Sequence, residues 1–241
     1  MRYAVVTGIT KGIGRAVGEC LLNRGYHVIG NYAADDRAAE EFLHINKDFS
    51  SHLKLFKLDL SSYKGACQFA RSITENASTL DVLILNSGTT DRTPFGAVTE
   101  ESWMRVMDVN LNAPFFLVQA LSKHMTPDVG RIIFIGSSMG EYPHGQSIAY
   151  GVSKAAVHEL SKYLVKHFSG QGITVNSIAP GFVDTPWQKG KAPEHRERIE
   201  SKVALHRFAD PEEIAALCVH VIENQYINGA VLDIDGGYCF E

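Results

Sequence analysis

The chain has 241 residues, of which 45% are hydrophobic and 21% are charged, so it is long enough for one large domain with a sizeable core. The net charge of -4 argues against a nucleic-acid-binding protein or an anionic-membrane surface, and no stretch approaches the roughly 20 apolar residues of a membrane span. Because no signal peptide, C-x-x-C pair or ligand-spaced histidine cluster is recognisable, we expect a cytoplasmic protein with reduced thiols and no metal site.

The N-terminal segment predicts a strand, a glycine-rich turn and a helix in succession. Residues 3–7 form a short apolar run, and residues 15–24 have helical periodicity that stops at Gly25. The turn between them has the spacing G-x-x-x-G-x-G over residues 8–14. Glycines let the backbone approach a phosphate closely, and a helix N-terminus offers free N–H groups to an anion. We therefore expect this turn to bind a pyrophosphate.

Strands and helices alternate along the rest of the chain. Further strands are predicted over residues 27–32, 53–58, 81–85, 131–135, 173–179 and 230–234. Further helices are predicted over residues 37–47, 63–77, 100–125, 150–168 and 211–223, the third with a mild interruption at residues 110–114. The alternation predicts a single-domain α/β fold over residues 1–241. It is a doubly wound, mostly parallel sheet of about seven strands with helices on both faces, the Rossmann fold.

The end of the second predicted strand bears on the choice of dinucleotide. An acidic residue there binds the ribose 2′-hydroxyl of NAD, whereas a basic residue nearby accommodates the 2′-phosphate of NADP. This chain has no acid there before Asp35, and Lys11 lies in the glycine-rich turn. These residues favour NADP. The alternative interpretation of Lys11 is a solvated loop residue.

Tyr150 and Lys154 lie four residues apart on a predicted helix, so they share one face, one turn apart. A free phenol has a pKa near ~10, which makes it a poor acid or base at neutral pH. A neighbouring ammonium stabilises the phenolate and lowers that pKa. Ser137, at the end of the fifth strand, could add a neutral hydrogen-bonding group. The pair is a candidate general acid–base. The alternative is a surface lysine that packs along a ring.

Seven motifs, in this order and spacing, resemble those of the short-chain dehydrogenases/reductases over essentially the whole chain. They are Thr7-Gly8-x-x-x-Gly12-x-Gly14, Asp59, Asn86-Ser87-Gly88, Asn110, Ser137 with Tyr150-x-x-x-Lys154, Pro180-Gly181-x-x-x-Thr185 and Asp235-Gly236-Gly237. Leu85 and Ser87 depart from the family's usual Asn and Ala. The resemblance implies an oxidoreductase that transfers a hydride with a nicotinamide dinucleotide.

The resemblance also implies roles for individual residues. Tyr150 would exchange a proton with the substrate oxygen, Lys154 would lower the Tyr150 pKa and hold the ribose hydroxyls, and Ser137 would hydrogen-bond the substrate. Asn110 would keep in place a water that links Lys154 to solvent. The implied cofactor-binding residues are Gly8, Thr10, Lys11, Gly12, Ile13, Gly14, Asp59, Leu60, Asn86, Gly88, Tyr150, Lys154, Pro180, Gly181, Val183 and Thr185.

In overall pattern the chain is most similar to 3-oxoacyl-acyl-carrier-protein reductases, which bind an acidic carrier partly through basic residues. Where those enzymes often have such residues, this chain has Gln171 and, at residues 126–128, Thr-Pro-Asp. We therefore expect a small-molecule carbonyl or alcohol substrate, with acyl-carrier reduction as the alternative. The residues expected to form the substrate pocket lie under a lid at residues 186–206 and include Met139, Tyr142, His144 and Gln146.

Two expectations concern function class and assembly. A dinucleotide-binding regulator without turnover would not need Ser137, Tyr150 and Lys154 together. An epimerase or dehydratase of the extended relatives would have a longer chain and a different glycine spacing. The resembled family is typically tetrameric through its two long helices, so we expect a homotetramer formed through residues 100–125 and 150–168.

Overall fold

The structure, a computed structural model, describes residues 1–143 and 145–240. Its strands are β1 (Tyr3–Val6), β2 (His27–Tyr32), β3 (Leu53–Lys57), β4 (Val82–Leu85), β5 (Arg131–Ile135), β6 (Thr174–Pro180) and β7 (Val231–Ile234). They form one sheet in the order β3-β2-β1-β4-β5-β6-β7, parallel at every pairing. The predicted fold is confirmed. The strand order reverses between β1 and β4, which leaves a crevice outside their carboxyl ends.

Helices cover both faces of this sheet. They are α1 (Gly12–Asn23), α2 (Asp36–Ile45), α3 (Tyr63–Thr74), α4 (Glu100–Met107), α5 (Ala113–Leu121), α6 (Ile148–His167), α7 (Pro193–Glu200) and α8 (Pro211–Glu223). Successive strand residues point to opposite faces, so Val5 packs into a core with α3 and α5, and Val6 into a second core with α1 and α8. Within the described ranges, no helix is both long enough and apolar enough to cross a bilayer.

The long helical stretch predicted over residues 100–125 is present, and its interruption lies at Asp108–Asn112 rather than at residues 110–114. The segment is divided into α4, a π-helical turn over Asp108–Asn112, and α5. Pro114 has no N–H, so the carbonyl of Asn110 cannot receive the usual bond from the residue four positions on. One residue earlier, the Ala113 N–H donates to the Asp108 carbonyl, five residues back, which is the hydrogen bond of a π-helix. The wide turn packs against α6 and buries Asn110 there.

Candidate active site

The glycine-rich turn joins β1 to α1 at the middle of the sheet. Gly8 and Gly12 have positive φ angles of 65° and 52°, which favour glycine. Gly14 packs against the turn itself, since a Cβ there would lie 2.3 Å from the Gly8 carbonyl oxygen and 2.5 Å from Asn86 Nδ2. The turn is therefore close-packed. The first residues of α1 line the crevice, where their free N–H groups stabilise an anion.

Gly14→Ala is expected to weaken dinucleotide binding by more than about tenfold, because the added methyl group must displace the Gly8 carbonyl or the Asn86 amide. Calorimetric titration with NADPH and NADH measures the loss. Gly96→Ala is the matched control, since a Cβ at Gly96 meets no atom within 4 Å. Equal affinities of Gly14→Ala and the wild type would contradict a phosphate-binding role for the turn.

Thr7 and Asn31 hold the turn in place, a role that was not predicted for them. Thr7 Oγ1 accepts hydrogen bonds from the N–H groups of Asn86 and Ser87, both at 2.8 Å. Asn31 Oδ1 accepts from the Gly8 N–H at 3.2 Å, and its Nδ2 donates to a carbonyl that follows β3 at 2.9 Å. Both side chains are buried. The sequence feature that could have indicated this role is a polar residue at the end of an apolar strand. A buried polar group needs hydrogen-bond partners, so it tends to hold neighbouring segments together.

A cavity of about 1190 Å³ opens outside the carboxyl ends of the strands and brings most of the predicted site residues together. Those that line it are Gly8, Thr10, Lys11, Gly12, Ile13, Asp59, Leu60, Asn86, Gly88, Ser137, Tyr150, Lys154, Pro180, Gly181, Val183 and Thr185. Gly14 and Asn110 lie behind this lining. Gly14 supports the turn from inside, and Asn110 is buried in the π-helical turn.

Lys11 is not a free cation at the ribose end of the cavity. It forms a salt bridge with Asp35, and both side chains are nearly half exposed. The hydrogen bond from Lys11 is the main reason that the pKa of Asp35 is lowered, and a second one from the Ala38 N–H adds to it. Asp35 also caps α2 through that second bond, at 3.0 Å. The charge that favoured NADP is therefore balanced by an acid three residues after β2.

Ser137, Tyr150 and Lys154 form one group in the cavity. Ser137 follows the end of β5, whereas Tyr150 and Lys154 are one turn apart on α6. The Ser137 hydroxyl lies beside the Tyr150 phenol, close enough to lower the pKa of that phenol. Lys154 Nζ donates to the Ile135 carbonyl at 2.6 Å and lies 5.6 Å from the centroid of the Tyr150 ring. A phenol, a hydroxyl and an ammonium are thus side by side.

Burial controls the protonation of this group. Burial raises the pKa of Tyr150, and the hydrogen bond with Ser137 opposes the rise only in part. Burial also lowers the pKa of Lys154 to about 8. In the protein alone, burial has the largest influence on the Tyr150 pKa; the lowering expected from Lys154 together with an oxidised nicotinamide stays a prediction. Tyr150 is therefore a protonated phenol at neutral pH.

Asn110 connects the loop after β4 to α6. Its Oδ1 accepts from the Thr89 N–H at 2.8 Å, and its Nδ2 donates to the Thr89 carbonyl and to Ser153 Oγ, both at 2.9 Å. Ser153 Oγ in turn donates to the Tyr150 carbonyl at 2.7 Å. Both amide hydrogens are thus used within the protein, so the side chain positions the segment that carries Tyr150. The water expected beside Asn110 stays a prediction.

His158 also supports the group and was not predicted. It lies one turn after Lys154 on α6, is buried, and accepts the Ser137 N–H on Nε2 at 3.4 Å. Burial, together with the positive charges of Lys154 and Lys162, lowers the pKa of His158 to about 4. The ring is therefore neutral at neutral pH, with its proton on Nδ1. The available signal was its spacing of four residues from Lys154.

The predicted lid, residues 186–206, begins with a short 3₁₀ turn at Pro186–Gln188 and continues into α7. The Trp187 ring meets the Tyr150 ring edge to face, with 5.9 Å between the centroids. The described residues between Ser137 and Tyr150 that line the cavity are Ser138, Met139, Tyr142, Pro143, Gln146 and Ser147. His144, which was also expected there, lies outside the described residues.

Known proteins match this chain over nearly its full length. The family described as Enoyl-(Acyl carrier protein) reductase matches residues 8–239. Glucose 1-dehydrogenase 2 of Bacillus subtilis (strain 168) is 32% identical over 243 residues, which cover 98% of this chain and 94% of that protein. The 3-oxoacyl-[acyl-carrier-protein] reductase FabG of Vibrio cholerae is 31% identical over 239 residues, which cover 98% and 96%. The chain belongs to the short-chain dehydrogenase/reductase family.

This short-chain dehydrogenase/reductase also matches the solved structure of Pseudomonas aeruginosa RhlG in an active-site complex with NADP. The TM-score is 0.90 at 32% identity, with 98% of this chain and 96% of that chain covered. The predicted family and the oxidoreductase class are confirmed, and a nicotinamide dinucleotide cofactor is supported. A glucose dehydrogenase and a 3-oxoacyl reductase are similar to this short-chain dehydrogenase/reductase at nearly equal identity, so identity alone selects no substrate.

Proposed function

We propose that this short-chain dehydrogenase/reductase transfers a hydride between NADP(H) and a ketone or secondary alcohol, with Tyr150 as the general acid–base. The observation that carries the proposal is the grouping of Ser137, Tyr150 and Lys154 in one cavity with the glycine-rich turn. That turn fits a dinucleotide because its glycines admit a phosphate to the N-terminus of α1. When bound, the nicotinamide supplies or accepts the hydride.

The protein's own side chains handle the proton. Tyr150, protonated at neutral pH, donates its phenolic proton to the carbonyl oxygen in the reductive direction and removes it in the oxidative direction. Ser137, beside the phenol in the same cavity, orients the same oxygen. The phenolate left after reduction is stabilised by the positive charge of Lys154, which the Ile135 carbonyl holds in place. Tyr150 thus transfers the proton, Ser137 orients the oxygen and Lys154 stabilises the phenolate, so the reaction needs all three side chains.

A carbonyl screen tests the proposal. NADPH or NADH is offered with β-keto esters, sugar ketones and steroids, and consumption of the dinucleotide is followed by absorbance. Turnover of at least one carbonyl is expected. The alternative, a dinucleotide-binding regulator, would change its fluorescence on binding and consume nothing. Binding without turnover across the whole panel would contradict the proposed activity.

Reduction of a carrier-bound 3-oxoacyl group is the second candidate, and the similarity to the Vibrio cholerae reductase favours it. The surface where such enzymes often have basic residues argues against it. The Asp128 N–H donates to the Gln171 carbonyl at 2.9 Å, so the two positions are adjacent and present an acid and an amide. An acidic carrier gains no attraction from this pair. We therefore favour a substrate that is not attached to a carrier protein.

The preference for NADP over NAD is part of the proposal. The structural relative that contains NADP supports it, and so does the position of Lys11 in the cavity lining. Lys11 is paired with Asp35, so the 2′-phosphate of NADP has to compete with this carboxylate for Lys11 when the dinucleotide binds. NAD brings no such competitor.

Asp35→Asn is expected to lower the dissociation constant for NADPH by about three- to tenfold and to leave that for NADH nearly unchanged, because it releases Lys11 for the 2′-phosphate. Fluorescence titration measures both constants. Asp36→Asn is the matched control, since the neighbouring Asp36 pairs with Lys57 and not with Lys11. An equal gain for both dinucleotides would contradict recognition of the 2′-phosphate by Lys11.

The homotetramer and the cytoplasmic location stay predictions. Apolar side chains exposed on α5 and α6 support an association through these helices. Phe115 is 38% exposed, Val152 45% and Tyr163 74%. Exposed aromatic and branched side chains of this kind are typical of surfaces that a second subunit covers.

A further inference from the structure

Positively charged side chains gather on the part of the cavity lining that the lid, the loop after β4 and α4 contribute. We call this set the cationic rim; its members are Arg92, Arg105, Lys189, Lys191, Arg198 and Lys202. Among the residues that the structure describes, two carboxylates line the same cavity, those of Asp35 and Asp59. Asp35 already pairs with Lys11 beside the glycine-rich turn. The lid side of the cavity therefore carries a strongly positive charge.

The cationic rim is not neutralised by nearby acids. In residues 1–143 and 145–240, no member of the rim takes part in a salt bridge. The acids next to rim residues in sequence, Asp91, Glu194 and Glu197, do not appear among the described residues of the cavity lining. A surface chosen only for solubility mixes both signs of charge. The segregation of charge at the rim therefore indicates a ligand.

Helix α7 contains two arginines, and the first of them, Arg196, is fully paired with carboxylates. Its guanidinium makes two bonds to the carboxylate of Asp184, at 3.1 and 3.0 Å, and a third to Glu200 at 2.8 Å. Arg198, two residues further along α7, lines the cavity and has no carboxylate partner among the residues described. The difference separates a structural arginine from one that is available to a ligand.

The rim cations also lie close enough to act on one another. The pKa of Lys191 is lowered, first by burial and then by the charge of Arg92 across the cavity. The pKa of His195 is lowered by burial and then by Lys191, Arg198 and Arg92. Like charges held together cost free energy unless an anion joins them. Such a cost at a cavity is expected where a charged ligand binds.

We propose that the cationic rim binds a phosphate group carried by the substrate, at the lid side of the cavity and apart from the dinucleotide. This inference deepens the proposed function and rests on it, since it adds the charge of the substrate to the reaction at Tyr150. A phosphate suits the rim because it carries up to two negative charges and three acceptor oxygens, which arginine forks and lysine ammonium groups match. The reacting carbonyl then lies between Tyr150 and the rim.

The phosphate has two possible sources, a long phosphorylated thiol carrier or a small phosphorylated metabolite, and two pairs of probes separate them. Coenzyme A is compared with pantetheine, which lacks its phosphates, and glycerol 3-phosphate is compared with glycerol. Each is titrated calorimetrically into the protein saturated with its dinucleotide, which keeps the probes out of the glycine-rich turn. The proteins are the wild type, the double variant Lys191→Gln/Arg198→Gln, and Lys47→Gln, at an exposed lysine in the 3₁₀ turn after α2 that does not line the cavity.

In at least one pair, the phosphorylated probe is expected to bind the wild type at least about tenfold more tightly than its neutral counterpart, and the double variant is expected to lose that advantage. Lys47→Gln should match the wild type. The pair that shows the effect identifies the source of the phosphate. Equal binding within both pairs, or an advantage that survives in the double variant, overturns the inference. These titrations need no turnover, so a failure of the carbonyl screen is recognised separately.

Discussion

Tyr150→Phe is expected to lower the turnover of any accepted carbonyl by about 10²- to 10⁴-fold, the usual contribution of a positioned general acid. The substitution removes the phenolic hydroxyl and its proton but keeps the ring that meets Trp187. Dinucleotide affinity should change by no more than about twofold, since the glycine-rich turn is untouched. Steady-state kinetics and fluorescence titration measure the two quantities on one preparation.

Tyr163→Phe is the matched control for this experiment. Tyr163 lies on the same helix, is 74% exposed and does not line the cavity, so its variant should retain wild-type turnover. Wild-type turnover of Tyr150→Phe would contradict the role of the phenol as proton donor. A parallel loss of dinucleotide affinity would show instead that Tyr150 mainly holds the cofactor.

The free energy of unfolding is expected to fall by an amount of the order of 3 kcal/mol between pH 6.5 and about pH 4 because of His158. The folded protein keeps this buried ring neutral, whereas the unfolded chain binds a proton at a pKa of 6.5. The depressed pKa therefore contributes stability that is fully present above pH 6.5 and is lost as the pH falls through about 4. Denaturant unfolding at a series of pH values measures the fall.

Carboxylates titrate in the same range, so the comparison with a variant isolates the histidine. His158→Gln keeps an acceptor for the Ser137 N–H but cannot titrate, and its stability should depend less steeply on pH. His220→Gln, at an exposed position on α8, should keep the wild-type slope. The same slope in His158→Gln and the wild type would show that His158 is not the group responsible.

Elements that depend on local patterns were predictable from the sequence. The buried parallel strands are short apolar runs such as Arg131–Ile135, which ends where Ser137 begins the site. The π-helical turn was visible only as a mild interruption, because the missing N–H of Pro114 breaks the pattern without stating what replaces it.

Interactions between distant segments could not be predicted in the same way. Lys11 and Asp35 are separated by a whole βα unit, and their salt bridge requires the end of β2 to lie beside the glycine-rich turn. The cationic rim likewise combines Arg92 with Lys191, about 100 residues apart, which only the folded lid brings together. Sequence spacing carries no information on such contacts.

The anchoring of the lid by Arg196 has a consequence for divergence and engineering. Besides its bonds to Asp184 and Glu200, this guanidinium lies 4.3 Å from the centroid of the Phe208 ring, so one side chain joins α7 to the segments before and after it. Ile199 and Val203 are buried, and the Leu205 N–H donates to the Gly236 carbonyl at 3.1 Å, so the lid is also held at its far end. A lid segment exchanged between relatives would therefore have to keep these contacts and Arg196, while the dinucleotide and the proton donor stay where they are.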